Sequence, residues 1–127
     1  MKPDANNTPP ALESLSAITL ATGDMARAVH FYQALGFSLK AGGADAAFTT
    51  FSVGQTSLNL IVEAHEPIRW WGRLIFHVAD VDAMYRAALA AGLSPLFAPR
   101  DAPWGERYFH LQDPDGHELS FARDLPA

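Results

Sequence analysis

The chain has no cysteine among its 127 residues. That excludes disulfides, thiol nucleophiles and thiolate metal sites together. Positive charge is scarce as well: 9 Lys and Arg stand against 14 Asp and Glu, for a formal net charge of -5, with no basic stripe or cluster. Such a surface offers little to a phosphate backbone, so nucleic acid is not an expected partner. No apolar run is long enough to cross a bilayer. The opening MKPDANNTPP lacks the apolar core of a secretory leader. No membrane partner and a cytoplasmic location are the corresponding expectations. There is no G-x-G-x-x-G or Walker loop to cradle phosphates, and no G-x-S-x-G elbow for hydrolysis. What the chain does have is 49% hydrophobic residues, sufficient for one compact domain or for two small modules sharing an interior.

Residues 1–13 are rich in Pro, Asn and Asp and read as a loose arm. From there strand and helix signals alternate. Leu15 to Ala21 reads as a strand, and Asp24 is placed to cap a helix. Met25, Ala28, Val29, Tyr32 and Leu35 follow at helical spacing, and Gly36 stands where a left-handed residue ends it. Phe37 to Leu39 is a short strand. Ala46 to Val53 and Thr56 to Glu63 form a hairpin around Gly54-Gln55. After a polar stretch the order repeats. Arg73 to Val78 is a strand, and Asp80 caps a helix carrying Val81, Met84, Tyr85, Ala88 and Leu89, which Gly92 closes. Leu93 to Phe97 is a short strand and Pro99 to Gly105 a loop. Arg107 to Gln112 and His117 to Ala122 close the chain as a hairpin around Asp113-Pro114-Asp115-Gly116. Both halves thus read β-α-β-β-β, a repeat of pattern more than of residues. The expected organisation is one α+β domain over residues 14–127. Its first module spans about residues 14–63, its linker about 64–72 and its second module about 73–123.

Neither module can bury a sheet face alone, but together they can form a curved sheet with helices outside and a cleft within. Strand parity sorts the faces. Leu74, Phe76 and Val78 oppose Arg73, Ile75 and His77. Leu58, Leu60 and Val62 oppose Ser57, Asn59, Ile61 and Glu63. Leu119 and Phe121 oppose Glu118 and Ser120, and Ile18 and Leu20 oppose Ala17, Thr19 and Ala21. The apolar set should pack under the helices and the mixed set should line the cleft.

In this order and spacing, ITLATGDMARAVHFYQALGF, VGQTSLNLIV, LIFHVADVDAMYRAALAAGL and WGERYFHLQDPDGHELSF resemble the vicinal oxygen chelate superfamily. That superfamily includes glyoxalase I, extradiol dioxygenases and bleomycin-resistance proteins. The resemblance implies paired βαβββ modules, a partly open sheet, and a homodimer that covers the free sheet edges. It also implies metal ligands at four positions. Seven residues before each helix-capping Asp the superfamily carries His, and here stand Ala17 and Arg73. Its L-E-L pattern is Leu58-Asn59-Leu60 here. Its last Glu, four residues after the turn glycine, is Ser120. Ala and Ser cannot replace imidazole and carboxylate, Asn is a weak neutral ligand, and Arg repels a cation.

The sequence therefore favours a metal-free branch: a protein without cofactor that binds a small organic molecule in the cleft, with sequestration of a toxic compound as one use. The expected lining is Arg73, His77, Glu118, Ser120, Asn59, Trp104, Tyr108 and His110. Arg73 can clamp an acidic group or pair internally with Glu118 or Glu63. His77 and Glu118 are the candidate catalytic pair, base and orienting acid. An alternative reading gathers His77, His110 and Glu118 around a displaced divalent metal ion, in a lyase, isomerase or dioxygenase. A second alternative is a scaffold whose cleft has closed. Trp70, Trp71 and Trp104 form either an aromatic wall or a hydrophobic seal. His30 and His65 read as surface or linker residues.

Overall fold

The computed structural model describes residues 9–127. Residues 1–8 of the expected arm lie outside the described residues, and residues 9–16 carry no regular structure. The first module runs β1 (Ala17–Thr22), α1 (Met25–Ala34), β2 (Ser38–Ala41), β3 (Phe48–Val53) and β4 (Thr56–Val62). The second runs β5 (Arg73–His77), α2 (Val81–Ala90), β6 (Arg100–Asp101), β7 (Glu106–Gln112) and β8 (Glu118–Asp124). Each module makes one four-stranded sheet of identical connectivity, β1-β4-β3-β2 and β5-β8-β7-β6. The first strand pairs in parallel with the last, and the other neighbours are antiparallel. The α+β repeat read from the sequence is the architecture observed.

Local chemistry sets the element ends. Asp24 and Asp80 adopt extended backbone, and their carboxylates accept from Arg27 N and Ala83 N at 3.1 and 3.0 Å, each satisfying an otherwise orphaned first-turn donor. Gly36 and Gly92 end the helices at φ +90° and +78°, a region side-chain-bearing residues avoid.

One expectation needs correction. Leu93–Phe97 is not a strand. Pro95 has no N–H to give a ladder, so the segment makes one bond to β7, from Leu96 N to the His110 carbonyl. Pairing resumes at Arg100–Asp101, inside the segment read as a loop. Leu89, placed on the apolar face of α2, is half exposed, whereas Val81 and Ala88 are buried.

Strand parity holds except at Val62, expected under a helix but 45% exposed at the end of β4. Leu20, Leu58, Leu60, Leu119 and Phe121 are buried, while Ala17, Arg73, Ile75 and His77 are exposed on the opposite faces. One core spans both modules: Phe37 meets Phe76 edge-on at 5.1 Å, and Phe76 stacks on Phe121 at 5.6 Å.

The Asp113-to-Gly116 turn staples the modules together. Buried Tyr32 on α1 donates its hydroxyl to Asp113 Oδ2 at 2.7 Å. Gly23 N donates to Asp115 Oδ1 at 2.9 Å, and Arg27 Nη2 to the Pro114 carbonyl at 3.3 Å. Asp113 Oδ1 accepts from Asp115 N and His117 N, each at 2.9 Å. The turn also sets where β8 begins, and hence where Glu118 and Ser120 face.

Candidate functional site

The concave face of the second sheet carries a hollow of ≈ 420 Å³, lined by Arg73, Ile75, Trp104, Glu106, Tyr108, His110 and Ser120. This falls within the range of small-molecule sites. Its layout follows from strand register. Across β5, β8 and β7 the rungs are Arg73–Glu118–Gln112, then Ile75–Ser120–His110, then His77–Ala122–Tyr108, and finally Asp124 opposite Glu106. The floor is low at Ser120 and apolar at Ile75. Trp104 and Tyr108 form an aromatic wall, with ring centroids 5.5 Å apart and tilted 36°. Phe97 packs edge-on against Tyr108, and Arg100 lies over Phe97 at 3.8 Å while its Nε donates to Tyr108 Oη. Trp104 is 66% exposed, a large apolar surface for one side chain.

The Arg73 end of the hollow is charged. Arg73 Nη2 pairs with Glu118 Oε1 at 3.2 Å and lies over the Trp70 ring at 4.9 Å. His110 Nδ1 stands 3.4 Å from the same carboxylate oxygen. Burial, aided by the Arg73 charge, pushes the His110 pKa below its ordinary value against the pull of Glu118. The ring is therefore neutral at physiological pH, with one donor and one acceptor to offer.

The expected site residues are only partly brought together. Arg73, Ser120, Trp104, Tyr108 and His110 line one hollow, and Glu118 pairs with two of them. Arg73 pairs with Glu118 rather than Glu63. Asn59 stands on the first sheet, where its Oδ1 accepts from Thr50 and its Nδ2 donates to Thr19. It bridges neighbouring strands of that sheet. The pairing of His77 with Glu118 does not form. His77 lies opposite Ala122, whereas Glu118 lies opposite Arg73, about 13 Å away along an extended strand. For the same reason His77, His110 and Glu118 do not converge as a triad. His77 instead stands 3.5 Å from Glu106.

Glu106 and Asp124 were missed in the sequence, although the closing hairpin held the signal. Counting outward from its turn at constant register sets Glu106 against Asp124. Of the tryptophans, only Trp104 lines the hollow. Trp71 donates its indole N–H to His117 Nδ1 at 3.0 Å, so His117 Nε2 carries the ring proton and donates to the Ala21 carbonyl at 2.9 Å. Trp71 is part of the module joint. His65, read as a linker residue, ties the linker to the turn through Asp115 Oδ1 at 3.0 Å.

The four positions where the resemblance implies a metal hold Ala17, Asn59, Arg73 and Ser120. The donor set there consists of one amide already engaged with two threonines, a hydroxyl, and a guanidinium paired with Glu118. These residues do not fit a divalent ion.

A family model described as the Glyoxalase/Bleomycin resistance protein/Dioxygenase superfamily matches residues 14–121. The chain belongs to this superfamily. Among solved structures, a glyoxalase/bleomycin resistance protein/dioxygenase from Nocardioides superposes with a TM-score of 0.77 at 20% identity, over 96% of this chain and 90% of that one. A bleomycin resistance determinant encoded on the transposon Tn5 gives 0.73 at 22% identity, over 88% and 98%. These likenesses carry the superfamily fold. An uncharacterized protein of Mycobacterium bovis is 44% identical over 48 residues, which are 38% of this chain and 32% of that protein. The chain thus spans about a third of the length of the curated relatives it matches. Among the described residues no helix is long and apolar enough to cross a membrane.

Proposed function

We propose that this superfamily member binds a small, flat organic molecule on the concave face of its second sheet, without a metal ion at the superfamily's usual positions. The observation that carries this reading is the hollow itself. An exposed Trp104 and its neighbour Tyr108 offer faces for stacking, over a floor too small to fill the space. At one end stand Arg73, which can turn from Glu118 to an acidic group of the ligand, and a neutral His110 that can donate or accept one hydrogen bond. Resistance, the role named for the Tn5 protein, is the use we propose, through sequestration of a toxic compound.

The site is completed by a second copy of the chain. Every residue lining the hollow comes from the second module, so the hollow has only one wall of sheet. β1 and β5 each end their sheet with a free edge, and exposed edges of this kind are ordinarily covered. The free edges flank a groove of ≈ 320 Å³ that includes Ala17, Ile18, Ser57, Ile75 and Phe76. A homodimer placing the first sheet of one protomer, with Asn59, over the second sheet of its partner encloses the ligand.

The test is a thermal-shift screen of planar aromatic acids and amides against the wild type, Arg73→Ala and Trp104→Ala. The reading expects hits that raise the wild-type melting temperature and bind at least ~10-fold more weakly to either variant, a loss of about 1.4 kcal/mol. Hits indifferent to both substitutions contradict it.

A further inference from the structure

We propose that His77, Glu106 and Asp124 form a binding site for a divalent transition-metal ion, at the end of the concave face remote from Arg73. The three side chains come from β5, β7 and β8, and their ligand atoms all lie within 4.8 Å of one another. His77 Nε2 and Glu106 Oε2 are 3.5 Å apart, about the edge of a tetrahedron whose metal–ligand bonds are ~2.1 Å. Bringing Asp124 to the same spacing takes a shift of roughly 1 Å in an exposed side chain, which rotamer freedom supplies.

Two independent features point to a cation. Glu106 and Asp124 are direct cross-strand partners, and like charges facing each other across a ladder are destabilising. Among the described residues no Lys or Arg forms an ion pair with either carboxylate. The second feature is orientation. Trp104 Nε1 donates to Glu106 Oε1 at 2.8 Å, which fixes that carboxylate with its other oxygen toward His77. Outer hydrogen bonds of this kind aim metal ligands.

One imidazole and two carboxylates neutralise a dication and suit zinc, cobalt, nickel, manganese or ferrous iron. Three protein ligands leave further positions open. The site is distinct from the four superfamily positions. Arg73, four residues away on β5 and paired with Glu118, is about 13 Å off along the strand, beyond the ~8 Å screening length at physiological salt.

The test uses untagged full-length protein and Co²⁺ as the probe. The expected result is one Co²⁺ per chain by elemental analysis after gel filtration, a visible d–d band, and calorimetric binding weakened at least ~10-fold by His77→Ala, Glu106→Gln or Asp124→Asn. Metal-free Asp124→Asn, relieved of the facing like charge, should melt no lower than the wild type, which keeps a folding defect from passing as lost affinity. Arg73→Ala, predicted to lose the organic ligand, should retain Co²⁺, so the two readings fail separately. No stoichiometric Co²⁺ in the wild type, or undiminished binding in His77→Ala, overturns the site.

Discussion

Tyr32→Phe isolates one buried tie between the two modules. The substitution keeps the ring, which is fully buried and packed among Phe31, Phe37 and Phe51. It removes only the hydroxyl that donates to Asp113 Oδ2. Asp113 Oδ1 keeps its two backbone donors, but Oδ2 is left facing a phenyl edge. A hydrogen bond to a charged acceptor contributes ~1.5–3 kcal/mol, and an unpaired buried acceptor costs toward the upper end, so we expect a loss of about 2–3 kcal/mol at pH 7. In urea, with a slope of ~1–3 kcal/mol per molar, the midpoint should fall by about 1 M. The loss should also depend on pH with a definite sign. Burial raises the Asp113 pKa above its ordinary value, and the Tyr32 hydroxyl is the main influence holding it down. Because the folded pKa lies above the unfolded one, protonation favours the folded state, and more so without the hydroxyl. The difference between variant and wild type should therefore shrink as pH falls through the raised Asp113 pKa. A loss below about 0.5 kcal/mol, or one that grows on acidification, refutes the assignment of this bond as the joint.

Three further outcomes follow from particular residues. Gly42→Ala should destabilise strongly or abolish folding, since a Cβ there would clash with the Phe48 carbonyl oxygen at a φ of +83°; soluble yield and melting temperature report it. His65 has acceptors at both ring nitrogens, the Glu66 carbonyl at 2.7 Å and Asp115 Oδ1 at 3.0 Å, which select the imidazolium. The bond to the Glu66 carbonyl, then that to Asp115, raises its pKa above the ordinary value, so its hold on the linker is fully present below pH ~6.5 and is lost as pH rises through the folded pKa. Protection of the amides in residues 66–72, taken relative to their intrinsic exchange rates at each pH, should fall across that window and lose that fall in His65→Ala. Phe121→Ala, at the fully buried centre of the stacked aromatic core, should cost ~3–5 kcal/mol in chemical denaturation.

Much of this was legible in the sequence because two periodicities are rigid. Alternation by two assigned Leu58, Leu119 and Phe121 to the core and Arg73 and Ser120 to the concave face. Two capping aspartates with two closing glycines bounded both helices. The errors arose where local pattern meets long-range pairing. Leu93 to Phe97 is apolar enough for a strand, but Pro95 removes the ladder donor and a single bond to His110 is what remains. His77 and Glu118 share a face, which makes them look like a pair in the sequence. A shared face fixes direction, whereas register fixes distance, and the parallel register sets His77 against Ala122 instead. The aromatic residues divided for a similar reason. Trp70 and Trp71 are adjacent in sequence, yet one covers Arg73 and the other is committed to His117.

Native mass spectrometry reports whether the second sheet's hollow holds an organic ligand between two copies of the chain. The protein would be incubated with the best compound from the screen. A dimer carrying one compound per hollow is expected, with the adduct lost in Trp104→Ala and the dimer retained. A monomer that binds the compound equally well, or an adduct that survives both Trp104→Ala and Arg73→Ala, rules that arrangement out.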